Sequence, residues 1–240
     1  LLKKEPAQVP RAKKTVICFD LDGPILDVSD RYFELYSDLV SELAREENMP
    51  GWPLLSKSEY WNMKRTRIPE EKILVNSGVT DSQLIDLYQR RRQQRIESKE
   101  YLRLDTVWAG MADVLHSLKG KFALVVATLR SSHDLLLEQL EWLGLRSAFD
   151  EVVSSHADVK GTSRAEAKAH LVSARYDLAS TRSWFIGDTE TDIFAGKALG
   201  SGTVGVSFGI RDESTLAAAG PDLLLRTPEA LINWLGNLSA

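Results

Sequence analysis

Thr15-Val16-Ile17-Cys18-Phe19-Asp20-Leu21-Asp22-Gly23 is the stretch on which the reading of the fold turns. Its first half is an unbroken apolar run. A strand with one wet face alternates apolar and polar residues, so a run without alternation predicts a strand buried on both faces, as in a parallel sheet covered by helices. The run stops at Asp20 and Asp22, and Gly23 allows a sharp turn directly after them. In an extended segment residues i and i+2 point the same way, so the two carboxylates can share one substrate.

Working outward, four further runs read the same way: Phe122–Ala127, Glu151–Ser154, Ser183–Ile186 and Thr203–Ser207. Helix-length segments lie between most of them. Met111, Val114, Leu115 and Leu118 recur at helical spacing within Ala109–Lys119, and Leu135, Leu136, Leu140 and Leu143 do so in the next segment. Strands alternating with such helices predict an α/β fold with a Rossmann-like parallel-sheet core. One connection is far too long for a simple crossover. Residues 28–104 hold helical patterns at Tyr32–Glu47 and Ser82–Lys99, broken at Met49-Pro50-Gly51-Trp52-Pro53 and Ile68-Pro69, and no convincing strand. The expected organisation is a lead-in over 1–14, a core from 15–27 and 105–240, and an inserted all-helical domain over 28–104.

Ligands of open α/β sheets bind outside the carboxyl ends of the strands, so the polar residues after each run are the candidates. Asp20 and Asp22 follow the first run, Thr128 the second, and Gly187-Asp188 with Asp192 the fourth. Two carboxylates ~4 Å apart repel by about 4 kcal/mol at an effective dielectric of 20. Such a cluster needs a cation among its members or protons on some of them, and oxygen-only donors favour a hard cation, usually Mg²⁺ at a phosphate-handling site. With it, a carboxylate can attack phosphorus while a second, two residues on, serves as acid and base.

Asp20-Leu21-Asp22-Gly23 with Asp27, then Thr128, a downstream lysine, and Gly187-Asp188-Thr189-Glu190-Thr191-Asp192 resemble the haloacid dehalogenase-like hydrolase superfamily, over nearly the whole chain from Thr15 to Leu235. The helical insert resembles the C1 cap of phosphoglycolate phosphatase-like members. The resemblance implies Asp20 as nucleophile and Asp22 as general acid/base. It further implies a Mg²⁺ site from Asp20, the backbone carbonyl of Asp22 and Asp188, with Asp192 binding through water or orienting Asp188, and Thr128 as a phosphate anchor. Pro24 stands where Thr or Val is common, and Leu129-Arg130 where many relatives have Asn. Arg130 lies close enough to the site to touch phosphate. The cation of the family falls on Lys168, with Lys160 and Arg164 as alternatives; Lys160 precedes a capping box, Ser163-Arg164-Ala165-Glu166. The implied function is a phosphatase of a small phosphorylated metabolite. A phosphomutase using the same aspartates and a non-catalytic binding protein are the other readings. Asp22 argues against a dehalogenase, because a departing halide needs no proton.

Composition narrows the partners. A formal net charge of -4 over 240 residues gives no reason to expect nucleic acid or an anionic membrane. No segment approaches the ~20 apolar residues of a membrane span. The single cysteine, Cys18, sits in an apolar run and reads as a buried structural thiol, which fits a reducing, cytoplasmic setting. Lys64-Arg65-x-Arg67 can serve either as a solvated face or as a contact for an anionic substrate tail, whereas Arg90-Arg91-Arg92 and Arg95 are expected in solvent or in i,i+4 pairs. His116, His133, His156 and His170 show no ligand spacing, and Trp52 and Trp61 are candidates to line a cavity. Oligomeric state is not legible.

Overall fold

The computed structural model describes residues 14–154, 162–178 and 181–238. The chain begins with β1 (Val16–Phe19) and β2 (Leu26–Asp27). Five helices follow: α1 (Ser29–Glu46), α2 (Lys57–Arg65), α3 (Glu70–Asn76), α4 (Ser82–Arg95) and α5 (Lys99–Leu102). Then come β3 (Thr106–Val107), α6 (Met111–Leu118), β4 (Ala123–Thr128), α7 (His133–Trp142) and β5 (Glu151–Ser154). The last part is α8 (Arg164–Ser173), β6 (Ser183–Gly187), α9 (Glu190–Ala198), β7 (Gly202–Val206), α10 (Glu213–Ala219), β8 (Leu223–Leu225) and α11 (Pro228–Leu238).

Six strands form one parallel sheet in the order β5-β4-β1-β6-β7-β8. The pleat of β1 explains why its sequence does not alternate. Ile17 and Phe19 join a core with Met111, Leu115, Leu136, Leu140 and Leu231, from α6, α7 and α11. Val16 and Cys18 face the other way, into a second core with Ala169 and Val172 of α8, Ala195 of α9 and Leu199 just after it. Both faces are therefore dry. Burial pushes the Cys18 thiol up to about 12, the state of an inert core residue.

Connections run from β1 to β4 and β5 on one side, then return to β6, β7 and β8 on the other. That reversal beside β1 opens the crevice in which a doubly wound sheet binds ligands. The five helices between β2 and β3 have an apolar core of their own, including Leu35, Tyr36, Leu39, Tyr60, Leu74 and Tyr88. Each fully buried side chain of this kind contributes roughly 1.5–3 kcal/mol, so the segment is packed rather than draped. β2 and β3 pair antiparallel where the chain leaves and re-enters the sheet region.

Several elements differ from the sequence reading, among them β2, β3, α2 and α3, which it did not place. β8 was not expected, because three half-buried leucines give no periodicity on which to recognise a strand. The expected Ser82–Lys99 helix ends at Arg95, and a separate short turn, α5, follows. Among the described residues no helix is long and apolar enough to cross a membrane.

Candidate active site

Three buried carboxylates meet at the carboxyl ends of β1 and β6. Asp20, Asp188 and Asp192 each offer an oxygen within 4.8 Å of the others. Asp20 is fixed by its N–H, which donates to the Ile186 carbonyl at 2.8 Å across the sheet. Asp188 follows β6, and its Oδ2 accepts from the Ile210 N–H at 2.5 Å. Its Oδ1 is buried with no hydrogen-bond partner. Side chains would not fit around it: a Cβ at Gly23 or Gly209 would overlap the Asp188 carboxylate. Burial, more than repulsion from Asp20 and Asp192, raises Asp188 well above the usual carboxylate range. Burial also pushes Asp20 up to about 7, in spite of a neighbouring lysine. An orphaned oxygen and an excess of buried negative charge are what a hard divalent cation would relieve, so the donor set fits Mg²⁺.

That lysine is Lys168. Its Nζ lies 2.9 Å from Asp20 Oδ1 and 2.5 Å from Asp192 Oδ1, and it is buried. Burial would lower its affinity for a proton, but Asp192 and Asp20 raise it, so the ammonium stays charged. Local sequence puts it there. Ser163 and Glu166 close the expected capping box, which starts α8 at Arg164 and turns Lys168 inward. Arg164 lies on the cavity wall, and Lys160 lies outside the described residues. Asp192 is held by a second box: its Oδ2 accepts from the Thr189 N–H at 3.0 Å and from the Thr189 hydroxyl at 2.7 Å. Both of its oxygens are thus engaged, one of them by Lys168. Thr128 ends β4, buried and facing the same cavity.

Asp22 is not one of this trio. Arg31 Nη2 donates to its Oδ2 at 2.6 Å, and Arg130 donates to both of its oxygens. Burial would raise the Asp22 carboxyl, but Arg130 and then Arg31 hold it well below the usual range. Arg130, the residue expected near the phosphate, lines the cavity and donates to Asp22, Asp105 and Gln139. Arg31 and Asp105 were missed by the sequence reading, since neither belongs to a motif and they meet only in the fold.

The cavity measures about 890 Å³, the size of a small-molecule site. Asp20, Asp22, Thr128 and Lys168 line its floor, and the helical insert contributes Tyr32, Lys64, Arg67 and Arg92. Lys64 and Arg92 lie over the Tyr32 ring, 5.6 and 5.4 Å from its centre. Glu70 partners both, at 2.6 Å from Lys64 and 3.7 Å from Arg92. Arg67 pairs with Glu190, which Arg211 also reaches. Arg92 therefore departs from the solvent-facing expectation, while Arg91 and Arg95 pair across helices with Glu42 and Glu46 of α1 rather than within α4. Trp61 packs edge-on against Tyr32, behind the cavity wall.

Comparison with known proteins bears on this arrangement. The model of the haloacid dehalogenase-like hydrolase family matches residues 14–200. The chain belongs to the haloacid dehalogenase-like hydrolases. Among curated relatives, this hydrolase is 27% identical over 223 residues to the phosphoglycolate phosphatase of Synechococcus elongatus, covering 92% of this chain and 97% of that one. It is 25% identical over 231 residues to pyrophosphatase PpaX of Bacillus velezensis, covering 92% and 96%. A haloacid dehalogenase-like family protein from Streptococcus pneumoniae shares its fold, with a TM-score of 0.65 and 18% identity over 92% of this chain and 98% of that one.

Proposed function

We propose that this hydrolase is a Mg²⁺-dependent phosphatase of small phosphorylated metabolites, working through an aspartyl-phosphate on Asp20. The observation that carries the reading is the trio of Asp20, Asp188 and Asp192, with Lys168 against Asp20, on the floor of a cavity sized for a small molecule. The names of the relatives agree with it, since both describe hydrolysis of a phosphorylated compound.

Asp20, Asp188 and the Asp22 carbonyl would hold the metal. When bound, Mg²⁺ lowers the repulsion between the Asp20 carboxylate and a phosphate dianion and neutralises charge on the transferring group. Asp20 attacks phosphorus, the bond from phosphorus to the leaving oxygen breaks, and Asp22 gives that oxygen its proton. Water then attacks the same phosphorus, Asp22 takes up its proton, and inorganic phosphate leaves with Asp20 regenerated. Held ionised by two arginines, Asp22 stands in the form that the second step needs; for the first it must take up a proton with substrate in place. Lys168 and Thr128 would bind the phosphoryl oxygens, Lys168 kept in place by Asp192.

Helices α1–α5 would act as the cap, excluding bulk water and presenting Lys64 and Arg92 to the leaving group. Two cations against one carboxylate, Glu70, leave an excess positive charge on that wall. The excess suits a substrate with a second anionic group. A panel of phosphorylated metabolites with Mg²⁺, compared with the same panel in chelator, tests the proposal. Asp20→Asn should abolish phosphate release while thermal unfolding stays cooperative, and Mg²⁺-dependent release by that variant would exclude Asp20 as nucleophile.

A further inference from the structure

Four charges of alternating sign form a ring at the cavity, with Asp22, Arg31 and Arg130 on its lining and Asp105 outside it. Arg31 donates to Asp22 Oδ2 at 2.6 Å and its Nε lies 3.1 Å from Asp105 Oδ1. Arg130 donates to Asp22 and, from the same Nη2, to Asp105 Oδ2 at 3.2 Å. Gln139 braces the far side: its Nε2 donates to Asp105 Oδ2 at 2.8 Å and to the Leu102 carbonyl at 2.9 Å, and its Oε1 accepts from Arg130. Asp105, Arg130 and Gln139 are buried, as is Arg31. Asp105 does not line the cavity, so it reaches the site only through the two arginines.

Two guanidinium groups converging on one carboxylate would repel each other and leave one buried positive charge uncompensated. A second carboxylate behind them removes that imbalance, and its position then decides where both arginines sit. We propose that Asp105, braced by Gln139, is a positioning residue for Asp22: it fixes Arg31 and Arg130 so that the Asp22 carboxylate is held toward the leaving group. The placement of Asp105 adds a link to the insert. It directly precedes β3, where the chain returns from the helices, and Arg31 lies in the first turn of α1, where the chain enters them. The inference rests on Asp22 being the general acid and base of the proposed phosphatase.

The test uses leaving groups that differ in their need for a proton. Glycerol 2-phosphate expels an alkoxide and p-nitrophenyl phosphate a stable phenolate, and kcat/KM reports the step in which either departs. Asp105→Asn keeps the shape of the side chain and removes its charge. In that variant kcat/KM for glycerol 2-phosphate should fall by about 10-fold or more, part of the full acid–base contribution, while p-nitrophenyl phosphate loses less than about 3-fold. A parallel fall on both substrates, or no fall on either, overturns the positioning role and leaves the phosphatase reading intact. A wild-type protein inactive on both and on the metabolite panel overturns the phosphatase reading and the positioning role with it. Should Asp105→Asn fail to fold, Gln139→Met, which removes the brace without changing any charge, carries the same comparison with a smaller expected difference.

Discussion

Asp20 is a buried carboxylate beside two others, with one lysine as company. Its raised affinity for a proton has a consequence for stability. A carboxyl whose folded pKa lies above its unfolded value binds its proton more tightly when folded, so its contribution is greatest at low pH and declines as pH rises between the two. For Asp20 that window runs from about 4 to about 7, and Asp105, pushed by burial up to about 6, acts in the same direction. In the proposed metal site, Mg²⁺ would compete with those protons at the Asp20–Asp188 pair. The rise in Tm on adding Mg²⁺ should therefore grow steadily from pH 5 to pH 8; a rise that is constant or shrinks over this range excludes the metal site. Lys168 has the opposite sign of charge and an equally local role. Lys168→Ala should lower kcat by about 10²-fold or more, as for loss of a charged donor at a transferring group, while Lys160→Ala leaves it unchanged. Normal turnover by Lys168→Ala would return the choice to Lys160 or Arg164. Sequence narrowed this cation to three candidates. Only the rotation of α8, set by its capping box, turns Lys168 toward Asp20.

At the scale of elements, the strand ends are held close by residues without side chains. Gly209, in the turn after β7, lets the backbone approach Asp188 so that the Ile210 N–H reaches the carboxylate. Gly209→Ala should destabilise the protein by about 1–3 kcal/mol, the usual cost of overpacking, and abolish most of the Mg²⁺-induced rise in Tm. Gly236→Ala, where a Cβ meets nothing within 4 Å, is the control and should be neutral or stabilising. The sheet was largely legible, because strands buried on both faces leave continuous apolar runs: Glu151–Ser154 falls where expected, and β4 is displaced by a single residue from Phe122–Ala127. Shorter pairings were not. β2 and β3 have two residues each, and β8 is an edge strand of three half-buried leucines, so none repeats often enough to show a period. The order of strands, which creates the crevice, is a property of the assembled sheet.

For the molecule as a whole, the motif residues and the insert meet across one cavity, and the two halves were not equally readable. Asp20, Asp22, Thr128, Asp188 and Asp192 follow apolar runs, so their common location could be argued from strand ends alone. Tyr32, Arg31, Arg92 and Asp105 carry no such mark. Their position depends on how α1 and α4 pack, with Glu42 taking Arg91 and Arg95 and leaving Arg92 to the cavity. If that wall reads a second anionic group, Lys64→Ala and Arg92→Ala should each raise KM by roughly 10-fold for a substrate with such a group, the loss of one charged hydrogen bond, and by much less for p-nitrophenyl phosphate. Equal effects on both substrates would make the wall a structural feature only. Counting released inorganic phosphate against substrate consumed separates hydrolysis from transfer within the same molecule. Cys18, finally, is the chain's single thiol and lies fully inside the sheet. Thiol-reactive dyes should ignore the native protein, so a cysteine introduced at exposed Glu47, at the end of α1, would carry the sole fluorophore, and a change in its signal on adding substrate would show whether the helices move.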